Sequence, residues 1–288
     1  MAETRLFLLD GMALVYRAHF AFIRNPITNS QGMNTSAIYG FTNTLLTIIE
    51  KEDPTHLAVA FDTSAPTSRH ILYPEYKAQR EAMPEELAAA IPEVKKVCAA
   101  FKIPVLVIDG FEADDIIGTL VYKTQEFGQN EPVMIISADK DFIQLHKFNN
   151  VRQYSPMQKK FVQHENPRLY ALEHVLKGDS GDGVPNVLSQ DDCFVEGIRQ
   201  TPVTQKKIDA ILADLDDGEL LYAASWYRNY QRNDTLINLE NTPQELKSEI
   251  INKFEEQDPW HKKGKMFPYF VQKRCKMLIE CIEDFNNG

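Results

Sequence analysis

Five short runs rich in β-branched and apolar residues, at 5–9, 56–61, 104–108, 133–136 and 151–154, set the strongest limit on how this chain can fold. Each has the length of a buried strand, and helical patterns at 35–50, 85–101 and 113–127 fall between them. Pro84 stands where a helix over 85–101 would begin. Strands that alternate with helices build βαβ units, which join into a mainly parallel sheet flanked by helices on both faces. Beyond Asp179 the strand signal ends, and 204–215 and 245–255 read as helices. The chain is therefore expected to be α/β, with residues 1–177 forming the sheet domain and 178–288 a smaller helical region.

In a parallel α/β sheet the functional crevice lies at the carboxyl ends of the strands. The acidic residues of this chain fall there. Asp10 follows the first run and Asp62 the second, Glu112, Asp114 and Asp115 open the helix after the third, and Asp139 and Asp141 follow the fourth. Asp179 and Asp182, in Gly178-Asp-Ser-Gly-Asp-Gly183, add two more where the helical region begins. Carboxylates crowded into one cleft repel each other, and they stay ionised at neutral pH only where cations neutralise them. Hard oxygen donors without His or Cys suit Mg²⁺ or Mn²⁺ better than zinc. Two such ions can polarise a phosphodiester and activate water. Taken singly, Asp10 and Asp62 read equally as turn formers or helix caps, and Asp114 with Asp115 as first-turn acids favoured by a helix dipole. Four successive strand ends delivering acid to one face is the feature that favours metal.

Lys and Arg number 31 against 41 Asp and Glu, a net charge of −10, which taken alone disfavours a polyanionic partner. The basic residues are clustered, however, at Lys77/Arg80, Lys159/Lys160, Lys206/Lys207, 262–265 and 273–276, and cations bound to the acids would make the facing surface less negative. The stretch 69–92 carries Tyr73, Tyr76, Lys77 and Arg80 in its leading half, mixing cations for phosphate with aromatics for bases; an ordinary solvated helix is the alternative. No GxxxxGK[ST] loop or GxSxG elbow occurs, and the position where a calcium loop from Asp179 would need its bidentate Glu is Gln190. A phosphatase of the haloacid dehalogenase type needs a second Asp where Met12 stands. No apolar run approaches the roughly 18 residues of a membrane span, and the four cysteines form no CxxC pair, so a reducing cytoplasm is expected.

Six strings resemble, in order, the flap endonuclease and 5′–3′ exonuclease family: Leu8-Leu9-Asp10-Gly-Met-Ala-Leu-Val-Tyr-Arg-Ala18, Phe61-Asp62, Tyr73-Pro-Glu-Tyr-Lys-Ala-Gln-Arg80, Glu112-Ala-Asp-Asp115, Ser137-Ala-Asp-Lys-Asp141 and Gly178-Asp-x-x-Asp182. Up to about residue 145 the chain is similar to the 5′ nuclease domain of bacterial DNA polymerase I. Asp141-Phe-Ile-Gln-Leu-His-Lys147, Gln153-Tyr-Ser-Pro-Met-Gln-Lys-Lys160, Gly264-Lys-Met-Phe267 and Tyr269-Phe-Val271 are more similar to the ribonuclease H of T-even bacteriophages.

The resemblance implies a PIN-like 5′ nuclease fold with a helical arch at 69–92. It also implies a structure-specific 5′ nuclease acting in DNA replication or repair, as a flap endonuclease, 5′–3′ exonuclease and RNase H-type remover of primers. Asp10, Asp62, Glu112 and Asp114 are then the first metal site, with Asp114 able to serve both ions directly or through water, and Asp115, Asp139, Asp141, Asp179 and Asp182 the second, partly through water, holding two Mg²⁺ that Mn²⁺ can replace. Lys77 and Arg80 become catalytic cations at the scissile phosphate, and Arg69, Tyr76, Arg199, Lys206 and Lys207 contacts to nucleic acid. The implied partners are DNA flaps, nicked or branched duplex, RNA–DNA hybrids and a single-strand DNA-binding protein, for a monomer with no membrane. After Asp182 the chain departs from the Pro-Gly-x-x-Gly-Ile-Gly hairpin of the polymerase-type relatives. Only Gly197-Ile-Arg-Gln-Thr-Pro202 resembles it, so a modified helix–hairpin–helix without a dependable monovalent cation site is expected. A catalytically silent flap-binding module would be expected to have lost acids, and this set is complete.

Overall fold

A computed structural model describes residues 5–127, 130–217 and 224–256. The basic runs at 262–265 and 273–276 and the strings at 264–267 and 269–271 lie outside the described residues. Every residue of β1 (Leu6–Asp10) is buried, because this strand is central in a six-stranded sheet of order β3-β2-β1-β4-β5-β6. β2 (His56–Ala60) and β4 (Val133–Ile136) flank it in parallel, with Leu9 opposite Val59 on one side and Ile136 on the other. β3 (Val105–Leu106) and β5 (Val151–Ser155) extend the parallel sheet, and β6 (Lys160–Val162) closes one edge antiparallel. Strand alternation sends Phe7 and Leu9 into a core shared with α1 (Gly11–Ala21), α2 (Ser36–Glu52) and α4 (Glu85–Ala100). Leu6 and Leu8 enter a second core with α5 (Ala113–Tyr122) on the opposite face. Burial on both faces explains the uninterrupted apolar character of the strands. From β1 the chain builds β2 and β3 to one side and then crosses to β4 and β5 on the other. The crevice of the fold therefore lies at the ends of β1 and β4.

The helices expected at 35–50, 85–101, 204–215 and 245–255 correspond to α2, α4, α7 (Gln205–Asp217) and α9 (Gln244–Glu255). The helix expected over 113–127 is α5 followed by a π-helical turn, Lys123–Phe127. Among the strands and α-helices described, α1, β6, α6 (Pro167–Lys177) and α8 (Tyr227–Ile237) had not been expected. β6 is a short edge strand with mostly exposed residues, so it has no apolar run to announce it. α8 is strongly polar, yet Asn229 and Asn233 are buried, their amides donating to the carbonyls of Val187, Ser189, Val175 and Pro185.

The segment 69–92, expected as a helical arch, is a short helix α3 (Ser68–Leu72), a run of turns and the opening of α4. It is anchored because Tyr73 and Tyr76 pack with Val175, Val184, Leu236 and Ile237. Packing is also continuous across the expected boundary at 177/178, since Leu239 and Ile250 belong to the α5 core. Among the described residues no helix is long and apolar enough to cross a membrane.

Candidate active site

The acids are set in place by ordinary helix-end and turn chemistry. Asp10 ends β1 and caps α1: one carboxylate oxygen accepts from Ala13 N at 2.9 Å and the other from the Ser137 hydroxyl at 2.9 Å. A Cβ on Gly11 would stand 2.6 Å from the Phe61 ring, so α1 can start this close to β2 only with glycine there. Asp62 accepts from Ala113 N at 2.7 Å and thereby ties the end of β2 to the start of α5. Glu112 and Asp115 form a capping box on α5. Beyond β4, Asp139 accepts from Asp141 N at 3.0 Å, and Asp141 opens a 3-10 helix to Lys147. Gly178, with φ of 68°, ends α6, and a Cβ there would lie 2.4 Å from the Val184 carbonyl oxygen. The tight loop it allows is braced by Asp179, whose side chain accepts from the backbone of Gly181 and Asp182.

Eight of the nine expected acids line one cleft of about 500 Å³: Asp10, Asp62, Glu112, Asp114, Asp139, Asp141, Asp179 and Asp182. Lys77 and Arg80 share it. The Lys77 ammonium stands 2.6 Å from Glu112 and 3.6 Å from Asp182, and Arg80 pairs with Asp182. Asp115 is the exception. It is buried outside that lining, with each carboxylate oxygen 2.8 Å from the Arg69 guanidinium and one also accepting from Glu112 N. With its oxygens taken up by Arg69 and the Glu112 amide, Asp115 does not reach the cleft that the other eight acids line.

The structure places Arg69 and Tyr76, expected as nucleic-acid contacts, in the interior, where neither presents a surface. Arg69 is an internal counter-ion, bonded to Glu112, Asp114, Asp115 and the Leu236 carbonyl. The Tyr76 hydroxyl lies 2.8 Å from Glu112 and 2.7 Å from Asp182, holding the two acids on either side of it. Arg199, Lys206 and Lys207 are exposed and do not line the cleft; Lys207 donates to the Pro202 carbonyl at 3.0 Å. His174 had no place in the expected site. It lies in α6 between Asp141 and Asp179, one ring nitrogen 3.5 Å from each. The cue available in sequence was its position five residues before Asp179, one helical turn before the loop.

A comparison of domain families matches residues 5–174 to the 5′-3′ exonuclease N-terminal resolvase-like domain. The chain belongs to the 5′-3′ exonuclease family. Residues 166–285 match the C-terminal region of T4 RNase H. The 5′-3′ exonuclease of Aquifex aeolicus is 38% identical over 198 residues, covering 63% of this chain and 64% of that protein. DNA polymerase I of Treponema pallidum is also 38% identical, over 195 residues, covering 63% of this chain but 19% of the polymerase. The chain thus spans about a fifth of the length of the polymerases it matches. In fold it is similar to the bacteriophage T5 D15 flap endonuclease, solved with DNA and metal ions, at a TM-score of 0.60 and 17% identity, covering 88% of this chain and 100% of that one.

Within this cleft, burial and mutual repulsion favour the protonated form of Asp10, Asp62, Asp139 and Asp141. Burial, reinforced by the nearby Asp62, pushes the Asp10 carboxyl up to about 7 from an ordinary value near 3.8. Burial likewise raises Asp62 and Asp139, and Asp141 goes well above the usual range through burial and its neighbour Asp139. Asp179 is lowered, chiefly by the His174 ring beside it, 3.5 Å from its carboxylate. Carboxyl oxygens that are costly to ionise without a counter-charge fit a divalent cation, whose binding would remove that cost.

A pH dependence follows. Between about pH 4 and 7 folded Asp10 keeps a proton that the unfolded chain has lost. The metal-free protein is therefore expected to lose stability as pH rises through that window, and His174, raised above its ordinary 6.5, extends the loss above it. Asp62, Asp139 and Asp141 act in the same sense, and the lowered Asp179 acts only below the window. Melting temperatures in chelator from pH 5 to 8 check this. A rise across the window, or an unchanged slope in Asp10→Asn, would contradict it.

Proposed function

We propose that this chain is a structure-specific 5′ nuclease that hydrolyses phosphodiesters at 5′ flaps and at nicked or branched duplexes. RNA–DNA hybrids are further substrates, and two Mg²⁺ ions are the cofactors. The observation that carries this reading is the single cleft in which eight carboxylates face Lys77 and Arg80. Asp10, Asp62, Glu112 and Asp114 would hold one ion and Asp139, Asp141, Asp179 and Asp182 the other. When bound, such ions supply Lewis-acid activation of water and charge stabilisation at the leaving oxygen. Asp10, Asp62 and the capped start of α5 keep the donor oxygens in place through their backbone hydrogen bonds. Arg69 offsets the negative charge of Glu112, Asp114 and Asp115 from beneath.

Lys77 has a left-handed backbone, φ of 58°, and its amide donates to the Asp182 carbonyl at 2.8 Å. Its ammonium is thereby held between the two groups of acids, where it can meet a phosphate carrying developing negative charge. Lys77→Ala and Arg80→Ala are expected to slow single-turnover cleavage by about 10²-fold while duplex affinity changes much less. Wild-type rates in both variants would remove these side chains from the chemistry.

Exposed Arg199, Lys206 and Lys207 are the cations this reading assigns to duplex phosphates. A single-strand DNA-binding protein is a partner consistent with work on flaps. End-labelled flap, nick, hairpin and continuous duplex substrates in Mg²⁺ test the proposal. Cutting focused at the flap junction is the expected outcome, and cutting that ignores the junction, or none at all, would reject it.

A further inference from the structure

His174 changes the chemistry of one part of the acid cluster. Ligand atoms from Asp141, His174 and Asp179 all lie within 4.8 Å of one another. Nδ1 stands 3.5 Å from Asp141 Oδ1 and Nε2 stands 3.5 Å from Asp179 Oδ2. These separations exceed the usual hydrogen-bond range of about 2.7–3.2 Å. Since a cation takes one ring nitrogen, one of these separations is that of two donors sharing an ion, ~3.0–3.5 Å at metal–donor bonds near 2.1 Å, and the other carboxylate completes the group within 4.8 Å. Among the described residues, no other donor is found on the Asp141 carboxylate.

The ring is held for this task. α6 ends one turn later at Gly178, whose amide donates to the His174 carbonyl at 2.8 Å, and the Tyr170 ring meets the imidazole edge-on at 5.8 Å. His174 and Asp141 also line a neighbouring cavity of about 460 Å³ that adjoins the main cleft at Asp141. Whichever ring nitrogen binds, the other faces a carboxylate, the arrangement that orients metal-bound imidazoles generally.

We propose that His174 supplies a nitrogen donor to the second cation site beside Asp141 and Asp179, and that this site therefore favours Mn²⁺, Co²⁺ or Zn²⁺ over Mg²⁺. The inference rests on the metal-dependent reading above and refines its choice of ion. Mg²⁺ prefers oxygen donors and keeps its waters, whereas imidazole adds affinity along the series from Mn²⁺ toward Zn²⁺.

Pulsed electron paramagnetic resonance of Mn²⁺ bound to the full chain tests it without relying on catalysis. Directly coordinated ¹⁴N is expected in the wild type, replaced by ¹⁵N when histidine is isotopically labelled, and lost in His174→Asn. Calorimetry is expected to show Co²⁺ affinity falling about 10-fold or more in His174→Asn, with Mg²⁺ affinity changing far less. Bound Mn²⁺ with no histidine nitrogen in the labelled wild type would overturn this inference and leave the carboxylate sites standing. Failure of Mn²⁺ to bind at all would overturn both. The labelled wild-type spectrum decides the matter even if the variant folds poorly.

Discussion

Asp10→Asn and Asp141→Asn are expected to lower single-turnover flap cleavage by about 10³-fold or more, with affinity for the same flap kept or slightly improved. A bound cation contributes several kcal/mol to stabilising charge in the transition state, and about 1.4 kcal/mol is tenfold in rate. Asparagine is chosen at position 10 because it caps a helix as well as aspartate does, so the bond from Ala13 N to its side chain can survive while the charge is lost. Removing a negative charge from a cleft that must admit phosphate does not weaken ground-state contacts. Asp115→Asn is the internal control. That side chain braces the site through Arg69, so its replacement should cost stability more than turnover. Single-turnover rates measured beside binding titrations separate the two effects, and a near wild-type rate in Asp10→Asn or Asp141→Asn would refute the ligand assignment at that position.

Arg69→Met should be the most destabilising single change in the region. The guanidinium is 5% exposed and bonds Glu112, Asp114, Asp115 and the Leu236 carbonyl, so it joins the acids of α5 to the end of α8. Burial opposes its charge, yet the surrounding acids hold it protonated, raised well above its ordinary range. Removing one partner from a buried ionic network costs about 3–5 kcal/mol, because the remaining charges lose their compensation. For a chain of this size that corresponds to a fall in melting temperature on the order of 10 °C. Added divalent cation should recover more of the loss in the variant than it adds to wild type, since it supplies positive charge to Glu112 and Asp114 by another route. A melting temperature within about 2 °C of wild type would show that Arg69 is not the counter-ion described.

The strand positions were legible in sequence because a sheet covered on both faces demands continuous apolar runs, and β1, β2 and β4 have them. Most of the acids were legible for a related reason, since each follows such a run or opens a helix, and Asp179 and Asp182 were legible from their Gly-Asp-x-x-Asp string in the loop after α6. Reading Asp10 as a helix cap and reading it as a ligand proved compatible, since it caps α1 and also lines the cleft. What sequence concealed were the long-range partners. Arg69 and Tyr76 sit in a stretch whose composition suits a solvated, nucleic-acid-facing helix, and only the packing of Tyr73 and Tyr76 against Val175, Val184 and Leu236 reveals that they turn inward. His174 was hidden because its approach to Asp141 depends on the packing of α6 against the 3-10 helix that Asp141 opens. Asp115 shares its motif with true cleft residues and differs only in which neighbour takes its oxygens.

The most direct measurement of the central claim is cleavage of an end-labelled 5′ flap after exhaustive chelation, followed by return of a divalent ion. Cutting should cease without the ion and resume at the same junction once Mg²⁺ or Mn²⁺ is restored, while flap binding persists throughout. Undiminished cutting by the metal-stripped protein would contradict the assignment of this carboxylate cleft as a cation-dependent nuclease site.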